Sequence, residues 1–281
     1  MATASHVRAW ILLEQPGPWG RDAVLSSRLL PDVTRALQER SHASGVRVVM
    51  LRGHAPDPAG LHAFAAFSGG AGQFVEHAVL DRVEEVLDVP WEPLAQGEPV
   101  GLGRAHRRPL FLVCTNGRHD VCCAEMGRPL FESMRAAYPQ ETWECSHIGG
   151  DRFAGNLLVF PHGLYYGWVA PDVGPRIAAA YQQGLLNLER YRGRCAHPRV
   201  VQAAEHFLRA REGLLGVDDL VARTRRRLSA DETEVRFDAA PGGSFVVTVR
   251  ANVDPEPALL TCTAEIPTAV RRFELIGIRA A

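Results

Sequence analysis

The feature that most constrains the fold is an order of elements that occurs twice. From residue 7 the chain reads as a strand "RAWILLEQ", a Pro/Gly loop, a helix "PDVTRALQERSHA", a strand "VRVVMLR", short strands "HAFAAF" and "GQFVEHAVL", and a helix "DRVEEVLDV". A proline-rich connector follows. From residue 109 the order returns: strand "PLFLVC", a loop, helix "CAEMGRPLFESMRAAY", strand "TWECSHI", strands "NLLVF" and "LYYGWVA" around a "PHG" turn, and helix "PRIAAAYQQGLLNLERY". Both halves are β-α-β-β-β-α, although no residue-level repeat accompanies the order.

This order predicts an α/β (α+β) fold with two thioredoxin-like units in tandem, over residues 5–103 and 104–198. The remainder, 199–281, reads as a small C-terminal α+β appendage: two helices over 199–229, then strands "TEVRFDA", "SFVVTVRAN" and "FELIGIRA", with "PGG" as a hairpin turn. At 281 residues and 46% hydrophobic content the chain can bury such a core without disulfide staples.

Charge excludes some partners. The formal net charge is -1, which gives no overall attraction to nucleic acid or anionic lipid. All 31 basic residues are Arg, a bias that fits a GC-rich, actinobacterial coding sequence. The run "RTRRRL" at 223–228 reads as a solvated helix face. The N-terminal stretch lacks the features of a signal peptide, and no window approaches the roughly 18 apolar residues of a membrane span. The expected location is the cytoplasm, away from membranes.

In a reducing cytoplasm, clustered cysteines read as metal ligands or redox groups. Three of the six fall within "CTNGRHDVCC", at Cys114, Cys122 and Cys123, and Cys145 follows in "WECSHIGGDRFAGN". Cys262, in the alternating stretch "LLTCTAEI", reads as a small core residue of a strand, and Cys195 as a loop thiol. Cys114 ends a strand and Cys123 opens a helix, so the loop between them lets two sulfurs converge near a helix N-terminus, which favours thiolates. His147 and Asp151 flank "IGG", whose glycines permit a tight backbone path. Structural zinc usually takes cysteine pairs two to four residues apart, which this pair does not obey, whereas an iron–sulfur cluster suits the longer loop.

At these residues the chain resembles the sucrase/ferredoxin-like family, thioredoxin-fold [2Fe-2S] ferredoxins, through C-x8-C followed by "ECSHIGGDRFAGN". The resemblance covers roughly residues 5–198. It implies an iron–sulfur electron-transfer protein rather than an enzyme, with one [2Fe-2S] cluster, Cys114 and Cys123 on one iron and His147 on the other. Where that pattern has a second histidine four residues further on, this chain has Asp151. The fourth ligand is therefore Asp151 or, two residues before His147 on the same strand, Cys145. Cys122 is an alternative to Cys123, with the spacing in favour of Cys123. Redox donor and acceptor are not specified, nor is the oligomeric state; Arg118 and Arg152 offer a positive rim for an acidic partner. Two further readings are a thioredoxin-fold thiol redox enzyme and a structural zinc-binding scaffold.

Overall fold

The structure, a computed structural model, describes residues 1–53 and 60–281. The first half comprises β1 (Ala9–Glu14), α1 (Pro31–Ser44), β2 (Arg47–Arg52), β3 (Leu61–Phe67), β4 (Phe74–Leu80), α2 (Trp91–Gln96) and β5 (Arg104–Ala105). The second comprises β6 (Leu110–Cys114), α3 (Val121–Ala137), β7 (Thr142–Cys145), β8 (Leu157–Phe160), β9 (Leu164–Tyr166), α4 (Val173–Gln182) and β10 (Tyr191–Arg194). After these come α5 (Arg199–Glu212), β11 (Leu220–Arg227), β12 (Glu232–Ala239), β13 (Ser244–Val253) and β14 (Arg271–Ala280).

The first ten strands form one large sheet in a mixed α/β arrangement, ordered β10-β9-β8-β6-β7-β2-β1-β3-β4-β5. Within it β2-β1-β3-β4 and β7-β6-β8-β9 are the same order. In each half the first two strands run parallel, with the helix between them as crossover, and the third pairs antiparallel to the first. The halves join where β2 meets β7 antiparallel, Leu51 opposite Cys145 and Arg52 opposite Glu144. The Ser146 amide donates to the Met50 carbonyl at 2.8 Å, and Arg52 Nη2 pairs with Glu144 Oε2 at 2.7 Å.

All six residues of β1 and all five of β6 are buried, because both faces of these strands are covered. Side chains alternate. Trp10 and Leu12 share a central core with Leu110, Leu112 and Cys114, while Ile11 and Leu13 face a second core with α1 and α2. Phe111 and Val113 face a third, with Leu130, Met134 and Ile177 of α3 and α4. The central core therefore draws on both halves: Trp10 meets Phe160 edge-on at 5.5 Å. Burying side chains of this size contributes about 1.5–3 kcal/mol each.

The C-terminal strands form a separate antiparallel sheet, β11-β12-β13-β14, on which α5 packs through Val201, Ala204 and Leu208. Here the structure corrects three expectations. The second helix expected before residue 229 is strand β11: an arginine run has no apolar period to favour a helix, and its backbone pairs with β12 instead. "LLTCTAEI" forms no strand and Cys262 is exposed, since only the isolated bridge Ala258–Thr268 pairs this stretch. In the first half, "DRVEEVLDV" makes a short 3-10 turn over Val83–Leu87, and the helix starts at Trp91 behind the extended Pro90. Trp91 and Leu94, one turn apart, are both buried and anchor it. Among the described residues no helix is long and apolar enough to cross a membrane.

Candidate metal centre

Cys114 is the last residue of β6, and its neighbour in space is set by α3. A Cβ on Gly127 would collide with the Cys114 carbonyl oxygen, so the helix lies against the strand end only because that residue is glycine. Asp120 is the extended residue ahead of α3, and Cys123 lies in the first turn, facing the central core. Past β7 the chain turns sharply through Gly149 and Gly150, at φ 101° and 86°, a left-handed path that returns Asp151 to His147.

The ligand atoms of Cys114, Cys123 and His147 all lie within 4.8 Å of one another. Both cysteines are 1% exposed. Asp151 stands against this group: Oδ1 is 2.9 Å from His147 Nδ1 and 3.6 Å from the Cys123 sulfur. His119 stacks on His147 with ring centroids 3.7 Å apart, and its Nε2 is 3.8 Å from Asp151 Oδ2. His147 Nδ1 is buried, and despite its closeness to Asp151 it lacks an in-line hydrogen bond.

These contacts set the charge. A hydrogen bond from Cys123 holds the Cys114 thiol well below its ordinary range; burial opposes this and His147 assists. Cys123 moves up, since it keeps the shared proton and is desolvated. Burial works against protonating His147, yet Asp151 and Cys114 hold its pKa up to about 9. Burial also works against the Asp151 carboxylate, and His147 keeps it ionised. These shifts favour a thiolate at Cys114 beside a protonated His147 in a largely buried site, a donor set that a metal can occupy by displacing protons.

The alternatives lie elsewhere. Cys145 is opposite Cys114 across β6 and β7 and fully buried, outside the three-residue group; burial and then the Cys114 charge push its thiol up. Cys122 turns from the centre toward the Asp120 carboxylate, at 3.4 Å, and the Asp151 carbonyl, at 3.3 Å, next to Cys262. Asp120 is buried and accepts the Cys262 amide at 2.8 Å. Cys195 is buried in the central core.

Sequence reading missed the residues that hold the turn. Arg47, on β2, donates from Nη2 to the His147 carbonyl at 2.9 Å and from Nη1 to the Ile148 carbonyl at 3.2 Å. Ser5 and Tyr165 also donate to the Ile148 carbonyl, at 3.0 and 3.1 Å. Asn156 holds the Gly150 carbonyl at 2.9 Å. Arg47 and Ser5 stand 100 or more residues away in the chain, so no local motif marks them. A cavity of about 620 Å³, lined in part by Arg21, Arg47 and Ser146, reaches His119 and His147.

Three similar proteins are each named Altered inheritance of mitochondria protein 32. The chain is 34% identical over 95 residues to that of Meyerozyma guilliermondii, covering 30% of this chain and 34% of the relative. It is 29% identical over 114 residues to that of Eremothecium gossypii, covering 35% and 36%, and 28% identical over 98 residues to that of Candida glabrata, covering 30% and 31%. The chain thus spans about a third of the length of these relatives. No solved structure matches it. These relatives correct two expectations. Their name refers to mitochondrial inheritance and not to electron transfer, which overturns the iron–sulfur electron carrier. Their fungal source conflicts with an actinobacterial origin. The family itself is clear: it matches residues 1–193, and the chain is a member of the sucrase/ferredoxin-like family.

Proposed function

We propose that this chain is a metal-binding protein whose cofactor is held by Cys114, Cys123 and His147, with Asp151 completing the set either at the metal or by orienting the imidazole. The observation that carries this reading is the convergence of two sulfurs and one imidazole nitrogen within 4.8 Å. Asp151 at His147 Nδ1 is the kind of carboxylate–histidine contact that fixes a metal-ligating ring. The [2Fe-2S] cluster implied by the family resemblance is one thiophilic group of this kind; such a group supplies a Lewis-acidic or redox-active centre, and these residues supply its anchoring, its burial and the exclusion of water.

The matching strand orders and crossovers of the two halves support a tandem of thioredoxin-like units, of which the second carries the centre. A cytoplasmic location belongs to the same proposal. The test is elemental and sulfide analysis of the purified chain beside its Cys114→Ser and His147→Ala variants. Bound metal in the parent that is lost in the variants is the expected result, with iron and acid-labile sulfide in equal amounts identifying a cluster, and sulfide-free metal a single ion. A metal-free parent, or metal that survives both substitutions, overturns the reading.

A further inference from the structure

On the far side of the Gly149–Phe153 turn lies a second cavity, of about 460 Å³, between that turn and the C-terminal sheet. Four arginines line it: Arg152, Arg192, Arg199 and Arg271. Among the described residues none of the four forms an ion pair with a carboxylate. The acidic residue at the wall, Asp151, already faces His147 and His119. Arg192 is 4% exposed, and its hydrogen bonds go to neutral oxygens: the carbonyls of Thr3 and Gly149, the Thr3 hydroxyl and the Asn156 amide.

Buried cations are ordinarily paired. Arg192 is not, and the half-buried Arg152 and the exposed Arg199 and Arg271 stand around the same cavity. The guanidiniums of Arg152 and Arg192 both lie over the Phe153 ring, 4.6 and 4.5 Å from its centroid. Burial brings Arg192 down to about 10, with Arg152 and Arg199 adding to the effect through their charges. Like charges gathered around one cavity favour a ligand that neutralises several of them at once. Arginine presents the planar fork that matches phosphate and carboxylate oxygens in pairs. The hydroxyl-bearing Thr3, Ser5 and Thr261 add polar groups to the wall. The volume is that of a small-molecule site and exceeds what one inorganic phosphate fills.

We propose that this cavity is a binding site for a small multivalent anion carrying phosphate or clustered carboxylate groups, clamped between the family region and the C-terminal sheet by Arg152, Arg192, Arg199 and Arg271. Its four arginines are not among the proposed metal ligands, and although Asp151 borders both, the two sites stand or fall apart. Both candidate chemistries share the same recognition, paired anionic oxygens on guanidinium forks.

The test is calorimetric titration of the full chain with inorganic pyrophosphate and, separately, with citrate at fixed ionic strength. Binding of one equivalent of either supports the site, and preference for one identifies phosphate or carboxylate as the recognised chemistry. The double variant Arg199→Gln/Arg271→Gln changes two exposed side chains. It should bind at least about tenfold more weakly, from the loss of charged hydrogen bonds. The control Arg176→Gln/Arg223→Gln, at exposed arginines outside the cavity, should bind like the parent. Absence of binding by both probes at millimolar concentration overturns the proposal. So does equal affinity in the parent and the cavity variant.

Discussion

The two halves share a strand order and treat histidine in opposite ways. In the first, His77 stacks on Phe64 at 4.6 Å and meets His62 Nδ1 through its Nε2 at 2.8 Å. Burial, then the charges of His62 and His106, lower its pKa to about 4. In the second, His147 sits between a carboxylate and a thiolate and is held up to about 9. One scaffold thus makes an aromatic, uncharged packing site in one half and an ionic, metal-competent one in the other. The strand order alone does not create the centre. The thiols do, together with Gly127 and the Gly149–Gly150 turn. The first half, with no cysteine of its own, serves as the wall through Ser5 and Arg47.

The sharpest way to break this contrast is to remove a sulfur. Cys123→Ser should abolish metal content, whereas Cys195→Ser should leave the metal-to-protein ratio unchanged by elemental analysis. Next in size is the wall. Arg47→Ala removes charged hydrogen bonds to the His147 and Ile148 carbonyls, and should cost about 1.5–3 kcal/mol in denaturant unfolding while the cysteines remain in place. If stability is unchanged, the first half is a neighbour of the site and not its support. Gly150→Ala forces a Cβ into a left-handed position against the Arg192 guanidinium, for a loss of about 1–3 kcal/mol.

Much of this contrast was legible in the sequence. The buried runs of β1 and β6 and the turn residues around "PHG" marked the element order, and the cysteine spacing marked Cys114 and Cys123 as a pair. What escaped were contacts between residues far apart in the chain. Arg47 gives no sign that it reaches His147, and Asp120 gives none that it is buried against Cys262, because these partners lie 100 and 142 residues away in the chain. The arginines of β11 and the alternation around Cys262 misled for a related reason: polar or short patterns carry too little burial to override the tertiary environment.

A smaller effect sharpens the comparison through pH. His77 resists protonation in the fold, so as pH falls from its ordinary pKa of 6.5 to about 4 the unfolded chain takes up a proton first and stability is lost. His147 behaves oppositely in the metal-free chain: its contribution is complete below pH 6.5 and is lost as pH rises to about 9. Unfolding midpoints measured across pH should flatten on the acid side in His77→Phe and on the alkaline side in His147→Gln. A slope unchanged in either variant assigns that limb to other groups. The smallest effect belongs to Cys262→Ser, which keeps the amide that Asp120 accepts and should leave both metal content and stability near those of the parent.

The junction of β2 and β7 has a further consequence. These are equivalent strands of the two halves, and they meet antiparallel, the arrangement by which two like subunits associate around a two-fold axis. Here both partners belong to one polypeptide. An encounter between separate molecules would weaken on dilution, whereas a tethered one proceeds at a fixed effective concentration. The wall that Arg47 provides to His147 therefore stays in place however scarce the protein is, and assembly of the site is independent of protein concentration.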